Sequence, residues 1–242
     1  MSPSTSPVDL SIVIPVYNER DNIEPLLREI SASLRGLDRP YEVLMVDDGS
    51  TDGSDEVLRR LRAAHPFLRV IRFARNAGQT AAMDAGFRRA RGQVIVTLDA
   101  DLQNDPIDIP PLLRELQGWD AVVGVRAIRR DSLVRRVSSR VANYVRNRLS
   151  DETISDTGCS LKAYRKDALS RLVLYDGMHR FLPTLLKLEG FRVREMTVGH
   201  RPRAHGRSKY GISNRIVPSF LDLLAVRWMK RRKLRYEVKD DS

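Results

Sequence analysis

The first half of the chain alternates short, unbroken apolar runs with stretches whose apolar residues recur at helical spacing. LSIVIPVYN, beginning at Leu10, is the first run, and Ile23, Leu26, Leu27, Ile30 and Leu34 follow it three and four residues apart. An unbroken run predicts a strand buried on both faces, and the three-and-four spacing predicts an amphipathic helix. YEVLMVDDGS predicts a second strand ending in two acids and a turn. Ser50, Thr51 or Ser54 is then expected to cap a helix carrying Val57, Leu58 and Leu61. LRVIRFA predicts a third strand, GQTAAMDAGFRRARG a helix closed by Gly92, and QVIVTLDAD a fourth strand. PPLLRELQ reads as a short helix and WDAVVGVRA as a fifth strand.

Strands of this kind separated by amphipathic helices predict an α/β fold, a Rossmann-like, mainly parallel sheet flanked by helices. Ligands of such sheets bind beyond the carboxyl ends of the strands. Three of the expected strands end in polar clusters there: PVYNE, DDGS and DAD.

The second half is less regular. A basic helix is expected over Ser132–Leu149, a strand at CSLKAYR, a helix at RFLPTLLKLEG and a strand at FRVREMTVGHRPR leading into the loop AHGRSKYG. The last element, Ile212 to about Leu234, is expected to be an amphipathic helix. It would carry Ile216, Phe220, Leu223, Leu224 and Trp228 on one side and end in KRRKLR. The organisation expected is a short polar leader (1–9), one main domain (10–211) and a basic, amphipathic helix and tail (212–242).

Composition narrows the class. With 42% hydrophobic and 30% charged residues the chain reads as a soluble globular protein. Its single cysteine excludes a disulfide framework. MSPSTSPVDL lacks the apolar core of a signal peptide, and no run is apolar enough to span a bilayer. The net charge of +11 is concentrated. Arg126–Arg148 carries eight Arg against one Asp, and Arg201 to the C-terminus carries twelve Lys/Arg against four acids. A slightly acidic body with two basic segments points to an anionic partner, the alternative being an ordinary solvated basic face.

Asp99, Asp101 and Gln103 lie two residues apart. If the strand continued through them they would share one face, and carboxylate and amide oxygens are hard ligands suited to Mg2+ or Mn2+. An ordinary polar turn is the alternative, because acids also make turns.

Three motifs in order, PVYNE (15–19), VDDGSTD (46–52) and LDADLQNDP (98–106), resemble the inverting family 2 glycosyltransferases of GT-A fold. RRVSSRVAN (135–143), DTGCSLKAYRKDAL (156–169), GMHRFLP (177–183) and HRPRAHGRSKYG (200–211) resemble one branch, the polyprenyl-phosphate sugar synthases, best known from dolichyl-phosphate mannose synthase. The resemblance covers roughly Leu10 to Phe220. It implies that Pro15, Tyr17, Glu19, Val46 and Asp48 hold the nucleoside and that Ala100 and Asp101 meet the diphosphate. Asp101 and Gln103, with Asp99 directly or through water, would ligate the metal. Arg203 and Lys209 would grip the donor diphosphate, and Arg126, Arg135 and Ser139 the acceptor phosphate. Asp156 is either a base, an acceptor-orienting residue or a structural turn acid, and Asp84 either a site acid or a helix-surface acid.

The reaction this implies is metal-dependent, inverting transfer of a sugar from a nucleotide sugar to a polyprenyl phosphate. GDP-mannose with a dolichyl-type acceptor leads. A UDP-linked glucose, uronic acid or aminosugar, with a prenyl phosphate or saccharide acceptor, is the alternative. The nucleophile is already an anion, so fixed positive charge matters more than a strong base. The expected place is the cytoplasmic face of a membrane, held peripherally by the C-terminal helix or by an integral-membrane partner. A nucleic-acid-binding protein is the remote alternative suggested by the pI of about 10.2. An aromatic content of 6%, no reader motif and acidic strand ends count against it.

Overall fold

The structure is a computed structural model and describes residues 8–126, 154–202, 213–234 and 239, the side chains of 213–219 excepted. The expected helix over Ser132–Leu149 and loop Ala204–Gly211 lie outside these residues. The chain divides into two compact units, Met1–Arg130 with Ile154–Ser208, and Asp131–Thr153 with Lys209–Ser242.

The first unit is built on a seven-stranded sheet. In chain order the strands are β1 (Leu10–Val16), β2 (Tyr41–Asp47), β3 (Leu68–Arg72), β4 (Val94–Thr97), β5 (Ala121–Arg126), β6 (Lys162–Arg165) and β7 (Val193–Val198). Their spatial order is β3-β2-β1-β4-β6-β5-β7. Every pairing is parallel except those of β6, which runs antiparallel to β4 and β5. Helices α1 (Arg20–Ser33), α2 (Ser54–Ala64), α3 (Gln79–Arg89), α4 (Ile109–Glu115), α5 (Lys166–Ser170) and α6 (Leu182–Leu188) cover it.

The unbroken apolar runs follow from burial on both faces. Ile12, Ile14, Val43, Met45 and Val96 pack into one core cluster with α1, α2 and α4 residues. Their neighbours Val13, Leu44 and Ile95 pack into another with α3, α5 and α6 residues. Period-two alternation thus fills two cores from one strand. α3 lies close on the sheet, since a Cβ at Gly86 would sit 2.3 Å from Val13 Cγ1.

Several local expectations change. The N-cap of α2 is Gly53, in a left-handed conformation, and makes no side-chain cap bond. Ser54 is instead inside the helix, where Oγ donates to Asp52 and accepts from Glu19 N. α3 stops at Arg89, before Gly92. Gly92 serves close packing, because a Cβ there would lie 2.6 Å from Ser11 N. β4 ends at Thr97, so Asp99 and Asp101 sit on the turn beyond it, not on one strand face.

The second unit shows α7 (Ser213–Arg232). Leu223 and Val226 are buried, whereas Phe220, Leu221, Leu224 and Trp228 are exposed, Trp228 at 64%. The helix therefore has apolar residues on two sides. The expected single face containing both Leu223 and Trp228 is not formed, because at about 100° per residue these two positions, five apart, lie about 140° from each other around the axis.

Candidate active site

The register brings the polar strand ends to one edge of the sheet. Val16 pairs with Asp47, Val13 with Thr97, and Lys162 lies between Thr97 and Val123. PVYNE and DDGSTD are stitched together there. Asn18, in the left-handed region at φ 52, donates its N–H to Ser50 Oγ at 2.9 Å, and its Oδ1 accepts from Thr51 N at 2.7 Å. Pro15 pairs with Val46 across β1 and β2. Val46 is fully buried against Ala82 and Ala85, so its side chain supports the floor of the site from inside the core.

Asp48 closes the β2 end. Its carboxylate accepts from Ala77 N at 2.6 Å, Gly78 N at 3.0 Å and Asn76 Nδ2 at 2.9 Å. Burial and the Asp47 charge raise its pKa, while the two N–H groups oppose them. Gly49 allows this closeness: at φ 69, a Cβ would fall 2.5 Å from the Arg75 carbonyl carbon. Three of a carboxylate's roughly four lone-pair directions are thus occupied.

At the β4 end, Asp99 Oδ1 accepts from Gln79 Nε2 at 2.9 Å. Its pKa is raised to about 6, first by burial, then by the charges of Asp101 and Glu19, against a Ser160 hydrogen bond and Lys162. Ala100 is buried. Asp101 Oδ1 accepts from Gln103 N at 3.2 Å around Leu102, whose φ is 60. Behind this turn Ser160 Oγ accepts from Asp99 N at 3.1 Å and donates to Asn104 Oδ1 at 2.8 Å, and Thr97 Oγ1 donates to Ser160 O at 2.7 Å.

At the β5 end, Arg126 Nε and Nη2 donate to the two oxygens of Asp156 at 2.7 and 2.8 Å, and Gly158 N reaches Oδ1 at 3.2 Å. Both oxygens being committed, Asp156 is placed to orient Arg126 and poorly placed to act as a base. Asp84 bonds Arg88 at 2.7 Å along α3, as a helix-surface acid does. Arg135, Ser139, Arg203 and Lys209 lie outside the described residues.

The structure adds residues that the sequence reading passed over. Lys162 is 3% exposed, its Nζ donates to Thr157 O at 3.4 Å, and burial lowers its pKa against the charges of Cys159, Asp99 and Asp156. A lysine set between the apolar residues Leu161 and Ala163 was the available signal. Gln79 and Asn76 stood in ARNAGQ, just before a helix start. Thr80 Oγ1 meets His179 Nδ1 at 2.7 Å and accepts from Gly177 N at 3.0 Å, which ties GMHRFLP to the same helix end.

Among the described residues no group of three or more His, Cys, Asp or Glu side chains gathers to hold a cation. Asp99, whose ionisation the neighbouring Asp101 carboxylate makes costlier, together with Asp101 and the Gln103 amide would suit a hard divalent ion.

The chain resembles known proteins in both sequence and fold. It is 42% identical over 234 residues to dodecaprenyl-phosphate galacturonate synthase of Rhizobium johnstonii, covering 94% of this chain and 69% of that protein. It is likewise 42% identical over 218 residues to undecaprenyl-phosphate 4-deoxy-4-formamido-L-arabinose transferase of Pseudomonas savastanoi pv. phaseolicola, covering 89% and 64%. The chain thus spans about two thirds of the length of these curated relatives. Glucosyl-3-phosphoglycerate synthase from Mycobacterium tuberculosis, solved with Mn2+, UDP and phosphoglyceric acid, superposes with a TM-score of 0.69 at 21% identity, over 94% of this chain and 80% of that one. A mannosyltransferase from Pyrobaculum calidifontis, solved with GDP-Man and Mn2+, superposes with a TM-score of 0.62 at 21% identity, over 95% and 73%. The fold is GT-A. The model of glycosyl transferase family 2 matches residues 11–173, and with the motifs carried at the sheet edge as described, the chain belongs to that family.

Proposed function

We propose that this protein transfers a sugar from a uridine nucleotide to a polyprenyl phosphate, with inversion at the anomeric carbon. The sugar favoured is a uronic acid or an aminosugar derivative. The names of the relatives support a prenyl-phosphate acceptor and these sugar classes over mannose. The observation that carries the reading is the division of charge along the sheet edge. Asp99 and Asp101 stand beyond β4, and Arg126, fixed by Asp156, stands at the end of β5.

Asp48 supports uridine over guanosine. With three acceptor directions used by the 76–78 loop, one remains, which matches the single N3–H of uracil better than the adjacent N1–H and N2–H2 of guanine. A divalent ion bound by Asp99, Asp101 and Gln103 would neutralise charge on the leaving diphosphate. Arg126, with its donors aimed by Asp156, binds the acceptor phosphate and offsets anion–anion repulsion. An oxygen of that phosphate attacks the anomeric carbon, the bond to the diphosphate breaks, and nucleoside diphosphate leaves. No proton has to be removed from the nucleophile, which agrees with an Asp156 engaged elsewhere.

No helix among the described residues is long and apolar enough to cross a membrane. The exposed apolar side of α7, with Phe220, Leu224 and Trp228 at successive i,i+4 positions and Arg231 and Arg232 just beyond, suits peripheral contact with an anionic bilayer. The test uses purified protein, undecaprenyl phosphate in detergent, a panel of labelled UDP- and GDP-sugars, and Mg2+ or Mn2+. Label entering the lipid phase from a UDP-sugar supports the reading. Transfer from GDP-mannose alone, or to water or a saccharide only, overturns it.

A further inference from the structure

Beyond Val198 the chain leaves β7 and runs back over the turn that follows Asp101. Gly199 N donates to Asp108 Oδ2 at 2.7 Å, and Arg201 N donates to Gln103 O at 2.7 Å. The Arg201 guanidinium then pairs with two carboxylates. Nη1 reaches Glu29 Oε2 of α1 at 2.8 Å, and Nη2 reaches Asp105 Oδ2. Asp105 uses its other oxygen to accept from Ile107 N at 3.1 Å, starting the short 3-10 turn Pro106–Asp108 ahead of α4. Three segments distant in sequence therefore meet on one side chain, and two of the contacts fall on the segment 103–105.

That segment needs outside support. Leu102 sits at φ 60, in the left-handed region. A branched, non-glycine residue there is strained and persists only where its surroundings hold it. Asp101 and Gln103 flank it, and ligand groups must be held within about 0.5 Å to serve a bound ion. A lone exposed ion pair would contribute little. A guanidinium shared by two carboxylates, on a backbone already bonded to Gln103, fixes direction as well as distance.

We infer that Arg201 is a positioning residue for the donor site: from the exit of β7 it clamps the Asp101–Asp105 turn in its strained form. The link to the donor rests on the reading of Asp101 and Gln103 given above; the clamp itself does not. In sequence Arg201 also stands two residues before Arg203, so the clamped backbone leads directly into the basic segment.

Hydrogen exchange on the full chain, without substrate, tests the clamp in Arg201→Ala, Arg201→Lys and Glu29→Gln. The expected result is exchange about threefold or more faster in peptides spanning 101–108, with α2 and β3 peptides unchanged, and a smaller effect in the Lys and Gln variants. Unchanged exchange at 101–108, or faster exchange everywhere, overturns the clamp. Calorimetry with UDP then tests the link to the donor. Arg201→Ala should weaken binding several-fold with Mn2+ present and leave metal-free binding unaltered, whereas equal affinities with Mn2+ would confine Arg201 to the turn. Failure of any UDP to bind would count against the proposed donor and leave the exchange result standing.

Discussion

Arg126 and Asp156 meet in a two-point ion pair, Nε to Oδ2 at 2.7 Å and Nη2 to Oδ1 at 2.8 Å, with side chains 18% and 7% exposed. The pair joins the end of β5 to the start of the DTGCSLK segment, thirty residues on. It is shielded enough that removing one partner strands the other.

Asp156→Asn should therefore affect the acceptor more than the donor. The expected outcome is a rise of at least about tenfold in the acceptor KM with little change in UDP binding. Stability should fall by about 3 kcal/mol, in line with breaking a buried pair from one side. Steady-state kinetics with varied prenyl phosphate, beside urea unfolding, gives both numbers. A variant with normal acceptor KM and a large loss of kcat alone would return Asp156 to the role of base.

Asp101→Ala should abolish transfer with little loss of fold, because the side chain lies on the turn beyond β4, outside the apolar core, and its proposed role is to hold the metal. Circular dichroism and the lipid-transfer assay separate the two effects. Near-normal transfer by this variant with the metal chelated would defeat the metal reading.

The raised pKa of Asp99 has a definite sign for stability. An unfolded aspartate ionises near 3.8 and this one at about 6, so between those values the folded state holds the extra proton. Its contribution becomes less favourable as pH rises through that window, by about 3 kcal/mol at most, and stays so above it. Glu42 and Asp52, whose pKa values are lowered, act in the opposite direction at lower pH. The comparison that isolates Asp99 is wild type against Asp101→Asn without metal. The variant should gain thermal stability relative to wild type at pH 7 and much less at pH 4, and an equal difference at both would show that the two carboxylates do not interact.

The exposed side of α7 should carry membrane affinity. Trp228→Ser with Phe220→Ser is expected to reduce binding to vesicles containing anionic lipid several-fold, since each removed side chain withdraws about 2 kcal/mol of apolar transfer energy at most. Truncation after Gly211 should reduce it further. Sedimentation with liposomes reads both, and unchanged binding would mean that this side of the helix meets something other than lipid.

How far the sequence led can be judged element by element. Val13 lies in one core and Ile12 and Ile14 in the other, so β1 had to be apolar throughout, and a run of that kind announces itself without knowledge of its partners. The same holds for β2 and β4, and for the acids that stop them. Periodicity could not show that β6 inserts antiparallel between β4 and β5, since four residues, Lys162–Arg165, encode no direction. Yet that insertion puts Lys162 beside Thr97 and Val123 and brings Ser160 behind Asp99.

The sequence by itself determined the strand–helix alternation, the edge where polar residues gather and the residue types available there, because burial and local spacing are properties of short stretches. Tertiary structure alone decided which polar groups meet. Asp48 takes the N–H groups of Ala77 and Gly78, Asp156 takes Arg126, and Arg201 takes Glu29 and Asp105. Hydrogen bonds and ion pairs act over about 3 Å, and only the register of the sheet and the packing of helices on it bring such distant residues that close.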